Sequence, residues 1–180
     1  LYFQWAYCTS KEVAEAAGDS LSALQLPAFT PVADSLLAFL GQHPGARFFI
    51  DLRYNPGGSP LDGYALAERI AAIPDINQKG KLYIGINGYS GAAPMLIAQA
   101  FRRQTNAIII GEPPAENPGH DGQKDFLKLP NSGLQVFYPQ VLLPVPAGSK
   151  GPFMPDVVVP MAFEAFKNGR DPVLDYLRAH

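Results

Sequence analysis

The sequence predicts an α/β domain with a mainly parallel sheet, helices packed on that sheet, and a β-hairpin in its C-terminal part. Short apolar runs alternate with segments of helical spacing, which is typical of parallel strands joined by crossover helices. The runs lie at 48–52, 81–86 and 107–110, and the helical segments at 30–40, 61–73 and 94–103. The turn Pro130-Asn131-Ser132-Gly133 separates two extended segments, 126–129 and 134–138, and predicts the hairpin.

Four further elements complete the prediction. Residues 11–17 have the character of a short helix, and residues 21–26 alternate like a strand that Pro27 ends. Near the other end of the chain, we expect a last strand at 157–159 and a last helix at 171–178.

Composition limits the classes of function. The chain has 180 residues, of which 47% are hydrophobic, and this is enough for a single domain with a sizeable core. Its net charge is -2, so we expect no nucleic-acid partner. No apolar run approaches the roughly 18 residues of a membrane span, so we expect no membrane insertion. A single cysteine, Cys8, excludes an internal disulfide framework.

The first four residues, Leu1-Tyr2-Phe3-Gln4, resemble the end of an engineered protease-recognition tag. We therefore predict a tag remnant at residues 1–4 and one domain at residues 5–180. In this interpretation the natural protein begins near Trp5, and the absence of an export signal from the given sequence does not indicate a localisation. It does not indicate an oligomeric state either.

The end of the strand at 48–52 is the first candidate site. The segment continues as Arg53-Tyr54-Asn55-Pro56-Gly57-Gly58, and paired glycines there indicate a close approach of another group to the backbone, or an ordinary turn. Loops rich in glycine and small residues also follow the strands that end at Ile86 and Ile110. Because parallel strands place their carboxyl ends at one edge of a sheet, one cleft can gather all three loops.

Several motifs resemble those of one peptidase family. Residues 50–58 read Ile-Asp-Leu-Arg-Tyr-Asn-Pro-Gly-Gly and resemble the signature D-L-R-x-N-x-G-G of the S41 peptidases, the carboxyl-terminal processing or tail-specific proteases. Residues 109–113 resemble the family's strand that ends in G-E-x, and residues 155–159 its P-D-x-x-V segment. The resemblance implies a crotonase/ClpP-like core, a serine endopeptidase that acts on extended or C-terminal segments, no cofactor or metal, and an exported protein.

The resemblance places the nucleophile in the loop before the third helix, where the ungapped position falls on Ala92. Alanine has no nucleophilic group, and three explanations are open. Ala92 is an engineered replacement of serine, the protein is a noncatalytic relative that binds peptides, or a shift of two residues makes Ser90 the nucleophile. Alternatively, Ser90 simply caps the following helix.

The sequence does not assign the role of general base to a single residue. The resemblance implies a lysine a few residues after the G-E-x strand, but that position is Asn117 and the nearest lysine is Lys124. One branch of the family has a histidine in this loop, which His120 matches, and imidazole accepts a proton near neutral pH. Asp121 or Glu112 lies near His120 in the sequence and is a candidate to orient its imidazole ring.

Backbone amides of Gly57 or Gly58 and of Ala93 are the expected oxyanion donors, because a side chain there would obstruct the carbonyl. We expect Asp51 and Arg53 to form a structural ion pair. A peptide or unfolded protein is the expected partner. An acyl-thioester enzyme on a crotonase-like core is a rival interpretation, but the sequence has no basic cluster for the phosphates of coenzyme A.

Overall fold

A computed structural model describes residues 1–115, 124–139 and 153–180. Seven helices and seven strands lie in these ranges. The strands are β1 (Tyr2–Gln4), β2 (Phe48–Asp51), β3 (Leu82–Ile86), β4 (Ile108–Gly111), β5 (Lys124–Lys128), β6 (Gln135–Pro139) and β7 (Val157–Val158). The helices are α1 (Lys11–Ala16), α2 (Ser20–Gln25), α3 (Thr30–Gln42), α4 (Leu61–Ala71), α5 (Ala92–Gln104), α6 (Phe163–Lys167) and α7 (Pro172–Ala179).

The main sheet has five strands in the order β1-β2-β3-β4-β7, and every neighbouring pair is parallel. Strands β5 and β6 form a separate antiparallel hairpin. The predicted α/β class, the mainly parallel sheet and the hairpin are therefore confirmed. The more specific assignment to a crotonase/ClpP-like core stays a prediction.

Helices cover both faces of the sheet. Alternate residues of β2 show this, because Ile50 belongs to one core cluster and Phe49 to another. The larger cluster contains Leu66 of α4 and Ile97 of α5, whereas the smaller one is closed by residues of α7. The central strands are buried on both sides, which explains their continuous apolar runs.

The predicted strand at 21–26 is wrong, because residues 21–25 belong to helix α2 and Leu26 is its C-cap. Asp19 precedes the helix, and its Oδ1 accepts a hydrogen bond of 3.0 Å from the Ser22 amide. Leu21 and Leu24 are both exposed, so the apolar alternation does not mark a buried face of a strand. The hydrogen bond from Ser22 to the N-cap residue Asp19 stabilises a helix here, whereas the apolar alternation that predicted a strand covered only six residues.

Two elements were not predicted at all. Helix α6 has only five residues, and its two apolar side chains at helical spacing, Phe163 and Phe166, are too few to predict a helix. Strand β1 falls within the four residues that resemble a tag remnant, and it pairs with β2 at the edge of the sheet. The Tyr2 hydroxyl donates a hydrogen bond of 2.9 Å to Asp51. The tag assignment stays a prediction, but these residues take part in the sheet.

An ion-pair cluster at the end of β2 joins the sheet to α7. The Arg53 guanidinium donates to both carboxylate oxygens of Asp51, at 2.8 and 2.7 Å, and to both of Asp171, at 2.8 and 2.7 Å. Asp171 also caps α7, where its Oδ1 accepts from the Val173 and Leu174 amides. The predicted pairing of Asp51 with Arg53 is confirmed, and Asp171 is an additional partner from 118 residues along the chain.

Asp171→Asn is expected to lower the free energy of unfolding by about 1 to 3 kcal/mol at pH 7, because Arg53 loses an anionic partner. Burial opposes ionisation, but hydrogen bonds from Arg53 and the first α7 amides hold the pKa of Asp171 below its ordinary value. A carboxyl with a lowered pKa stabilises above its unfolded-state pKa, about 3.9, and this stabilisation disappears as the pH falls through the lower folded value.

Urea unfolding at pH 7 and at pH 3 measures this effect. The difference between the two chains should shrink at acid pH. Asp175→Asn is the matched control, since Asp175 lies on the same helix but pairs with Arg170 and Arg178 at the surface. It should cost less than about 1 kcal/mol. Equal losses for both variants at pH 7 would contradict the structural role of Asp171.

Candidate functional site

The loop after β2 is held by the side chain of Asn55, which is fully buried. Its Nδ2 donates hydrogen bonds to the Trp5 carbonyl at 2.8 Å and to the Cys8 sulfur at 3.2 Å. Its Oδ1 accepts from the Gly57 amide at 2.9 Å. One amide group therefore binds the N-terminal segment to the loop and fixes the first glycine.

Gly57 and Gly58 both have positive φ, 138° and 121°, a region that favours glycine. A Cβ atom on Gly58 would lie 2.1 Å from the Cys8 carbonyl oxygen, so the two backbones are in close contact. The Gly57 amide is already bound to Asn55, whereas the Gly58 amide has no acceptor among the described residues. Of the two predicted oxyanion donors in this loop, Gly58 is the one that remains available.

Cys8 itself is not a candidate nucleophile. Its thiol is completely buried, and burial raises its pKa to about 11 despite the hydrogen bond from Asn55. A neutral, buried thiol is unreactive. The sulfur instead accepts a hydrogen bond from Asn55, in the network that holds residues 55–58, which we call the glycine loop.

The loop after β3 is organised by Asn87. Its Oδ1 accepts hydrogen bonds from the amides of Tyr54 and Tyr89, at 3.0 and 3.1 Å, and so joins this loop to the loop after β2. The backbone amide of Asn87 donates a hydrogen bond of 3.0 Å to the Ser90 hydroxyl. Asn87 is buried, and these bonds satisfy polar groups that have no access to water.

Ser90 is only 2% exposed, and its hydroxyl is engaged by the backbone on both sides. It donates to the Leu52 carbonyl at 2.9 Å and accepts from the Asn87 amide. This geometry favours a structural role, since the proton and one lone pair are both in use. Ser90 does not cap the following helix, however, because the N-cap residue of α5 is Gly91 and no side chain bonds to the helix there.

Helix α5 begins at Ala92 and lies directly against the glycine loop. The Gly91 amide donates to the Asn55 carbonyl at 2.9 Å, and a Cβ on Gly91 would lie 2.2 Å from the Pro56 carbonyl oxygen. The first hydrogen bond of the helix runs from the Met95 amide. The amides of Ala92 and Ala93 therefore have no acceptor in the described part of the chain.

This helix start is suited to negative charge. Ala92 is partly exposed and Ala93 is buried, and proline at position 94 has no amide hydrogen to satisfy. Two donors and the positive end of the helix dipole thus lie beside the Gly58 loop. The combination can stabilise an oxygen that becomes negative during a reaction.

The loop after β4 joins the other two. The Glu112 amide donates to the Ile86 carbonyl at 3.0 Å, and the Ala115 amide to the Gly88 carbonyl at 3.4 Å. The Glu112 carboxylate accepts a hydrogen bond of 2.9 Å from the Met161 amide through Oε1, and its role in orienting His120 stays a prediction. The three strand-end loops therefore lie side by side, as the parallel sheet requires.

The candidate bases cannot be placed in this geometry. His120, Asp121 and Asn117 lie in 116–123, outside the described residues. Lys124 is the first residue of β5, but its side chain is also outside the described part. Their roles stay predictions. Within 1–115, 124–139 and 153–180, no group of three or more histidine, cysteine, aspartate or glutamate residues is placed to hold a metal ion.

Three solved structures with a similar fold are described as peptidases. A protein from Parabacteroides merdae that is assigned to the peptidases superposes with a TM-score of 0.67 at 16% identity, over 99% of this chain and 59% of its own. The photosystem II D1 C-terminal processing protease has a TM-score of 0.55 at 17% identity, over 88% of this chain. The tricorn protease has a TM-score of 0.53 at 18% identity, over 73% of this chain.

The chain shares its fold with these peptidases. The sequence-based resemblance to S41 peptidases is thereby confirmed at the level of the fold. No protein-family model matches the sequence, and no curated protein matches it either. The chain spans 41% of the length of the D1 processing protease and 14% of that of the tricorn protease.

Asn55 and Asn87 hold the loops of the candidate site in place, and sequence reasoning missed both roles. Each asparagine lies just beyond the end of a buried strand, at a loop that contains glycine, and Asn55 is also the asparagine of the D-L-R-x-N-x-G-G resemblance. A short amide side chain there often bonds to the backbone of its own loop. Which distant backbone it also binds depends on the fold.

Gly91→Ala is expected to destabilise the chain by about 1 to 3 kcal/mol, because the added methyl group meets a backbone carbonyl that cannot move independently. Gly88→Ala is the matched control in the same loop, since a Cβ there has no atom within 4 Å. It should change stability by less than about 1 kcal/mol. Urea unfolding checks both, and a tolerated Gly91→Ala would mean that α5 does not lie this close to the glycine loop.

Proposed function

We propose that this chain is the catalytic core of a serine-type peptidase related to the tail-specific proteases, with position 92 as the site of the nucleophile. The observation that supports it is the position of Ala92. It occupies the first turn of α5, partly exposed, beside the loop that carries the Gly58 amide. A hydroxyl on this residue would have unpaired backbone donors on the same turn.

Position 92 is preferred to Ser90 for a physical reason. A nucleophilic hydroxyl must reach a substrate carbonyl and pass its proton to a base. The Ser90 hydroxyl is enclosed and bonded to Leu52 and Asn87, so its attack would require two hydrogen bonds to break. Position 92 has neither restriction.

In the proposed mechanism, a serine hydroxyl at position 92 attacks the peptide carbonyl while His120 or Lys124 accepts its proton. The carbonyl oxygen becomes negative and is bound by the amides of Gly58 and Ala93. Losing one such donor typically costs about 3 kcal/mol of transition-state stabilisation. The base then protonates the leaving amine, and water releases the acyl group by the same steps. No cofactor or metal takes part.

The substrate that we propose is an extended or C-terminal segment of a peptide or unfolded protein. The support is the fold shared with a C-terminal processing protease. By the same reasoning we propose an exported protein. In the described ranges no helix is both long enough and apolar enough to cross a membrane.

A noncatalytic peptide-binding role is the second candidate, and one observation favours it. Alanine at position 92 leaves the donors and the cleft in place but removes the group that would attack. Such a chain would hold a peptide without cleaving it. An engineered replacement of serine would give the same chain.

Ala92→Ser is expected to convert the chain into a peptidase, with cleavage of a fluorogenic unfolded protein raised at least about 10³-fold. A fluorophosphonate probe followed by peptide mapping should label the introduced hydroxyl at position 92, and the unmodified chain should stay unlabelled. The matched control is Ala93→Ser, which adds the same hydroxyl one residue later on the buried side of the helix. It should remain inactive.

The outcomes separate the two candidates. Cleavage by the unmodified chain, with the probe on Ser90, would contradict the assignment of position 92. Peptide binding without cleavage in both the unmodified chain and Ala92→Ser would establish the noncatalytic role. If neither binds nor cleaves, the proposed function is wrong.

A further inference from the structure

An exposed pair of tyrosines borders the candidate site. Tyr54 lies between β2 and the glycine loop, and Tyr89 lies in the loop that leads into α5. Their rings stack with centroids 5.8 Å apart and an interplanar angle of 28°. Tyr54 is 56% exposed and Tyr89 75% exposed, so most of the two rings faces solvent.

The backbone of Tyr54 is held in an unfavourable conformation. Its φ is +60°, and it is the only described residue other than glycine with a positive φ. For a bulky side chain this conformation costs roughly 1 kcal/mol or more. Glycine would avoid the cost, and burial of the ring does not offset it, because the ring is exposed.

One buried acceptor aligns both tyrosines. The Asn87 Oδ1 binds the Tyr54 and Tyr89 amides at 3.0 and 3.1 Å, and this keeps the two ring-bearing residues next to each other. The pair is thus pre-organised, although its rings contribute little to the core. Strain that is maintained at a site edge without a packing benefit indicates a role in binding.

We propose that the Tyr54–Tyr89 pair is a specificity platform that receives an aromatic side chain of an extended peptide bound at the candidate site. Two adjacent tyrosine rings offer a rigid apolar face at low cost in conformational entropy, and an aromatic substrate ring adds favourable stacking. Tyr54 directly precedes Asn55, and Tyr89 directly precedes Ser90-Gly91, so the two rings stand on the two loops that carry the proposed donors. In this proposal, a peptide that crosses the Gly58 and Ala93 amides passes beside the pair. This inference rests on the proposed peptide site.

The test uses the chain with Ala92, which lacks the nucleophilic hydroxyl of the proposed mechanism and is therefore expected to bind a peptide without cleaving it. Fluorescence anisotropy measures the Kd of labelled eight-residue unstructured peptides in which one position, scanned along the peptide, is Phe, Leu or Ala. With the substituted residue at the peptide position that gives the largest effect, the unmodified chain should bind the Phe peptide about 2- to 10-fold more tightly than the Ala peptide. The Leu peptide should fall between them.

Two independent variants remove the platform. Tyr89→Ala truncates an exposed ring, and Tyr54→Gly removes a ring while relieving the positive φ, so both chains should fold. Thermal unfolding verifies this. In each variant the ratio of Phe to Ala affinity should fall to near 1, whereas Tyr89→Phe should retain it. Phe39→Ala is the matched control: Phe39 is a 41% exposed ring in the last turn of α3, before the amino end of β2 and therefore away from the loops at the strand ends.

Each result decides the question. If peptides bind but the ratio is the same in Tyr89→Ala, Tyr54→Gly and the unmodified chain, the platform is wrong and the peptide site stands. If no peptide binds the unmodified chain at any register, the proposed function fails and this inference fails with it. Loss of the ratio in Phe39→Ala as well would also overturn the platform.

Discussion

The candidate site depends on the hydrogen bonds of the buried residue Asn55, made by its side-chain amide group and by its backbone carbonyl. The side chain holds the Trp5–Cys8 segment and fixes the Gly57 amide, and the backbone carbonyl binds the Gly91 amide at the start of α5. A buried polar group that loses its partner costs about 1 to 3 kcal/mol, so the three segments are strongly coupled. The start of α5 and the glycine loop are therefore both hydrogen-bonded to this residue.

The chemistry of the site follows from backbone groups more than from side chains. The Gly58 amide and the amides at the start of α5 supply donors, and the contacts of Gly58 with Cys8 and of Gly91 with Pro56 exclude side chains at those points. Arg53 acts at a distance by locking the end of β2 to α7 through Asp51 and Asp171. The donor side of the candidate site is therefore pre-formed, and the proposed reaction additionally requires a hydroxyl at position 92 and a general base.

The elements with long apolar runs could be predicted from the sequence because burial on both sheet faces leaves a strong pattern. The glycine loop and the ion pair of Asp51 with Arg53 could also be predicted, since each involves residues that are close together in the sequence. Helix α2 and strand β1 were not, because six and three residues carry too little periodicity. The fixed position of Ser90 depends on the Leu52 carbonyl, 38 residues away, and no local pattern encodes such a contact.

An NMR titration of the ¹⁵N-labelled chain with an unstructured peptide tests the central claim most directly, namely that a peptide carbonyl binds where α5 meets the glycine loop. The amides of Gly58, Ala92 and Ala93 should show the largest saturable shifts, because these donors at the junction have no acceptor among the described residues. The amide of Gly57, bonded to Asn55, should shift less. Saturable shifts confined to other regions of the chain, with these amides unchanged, would contradict the account.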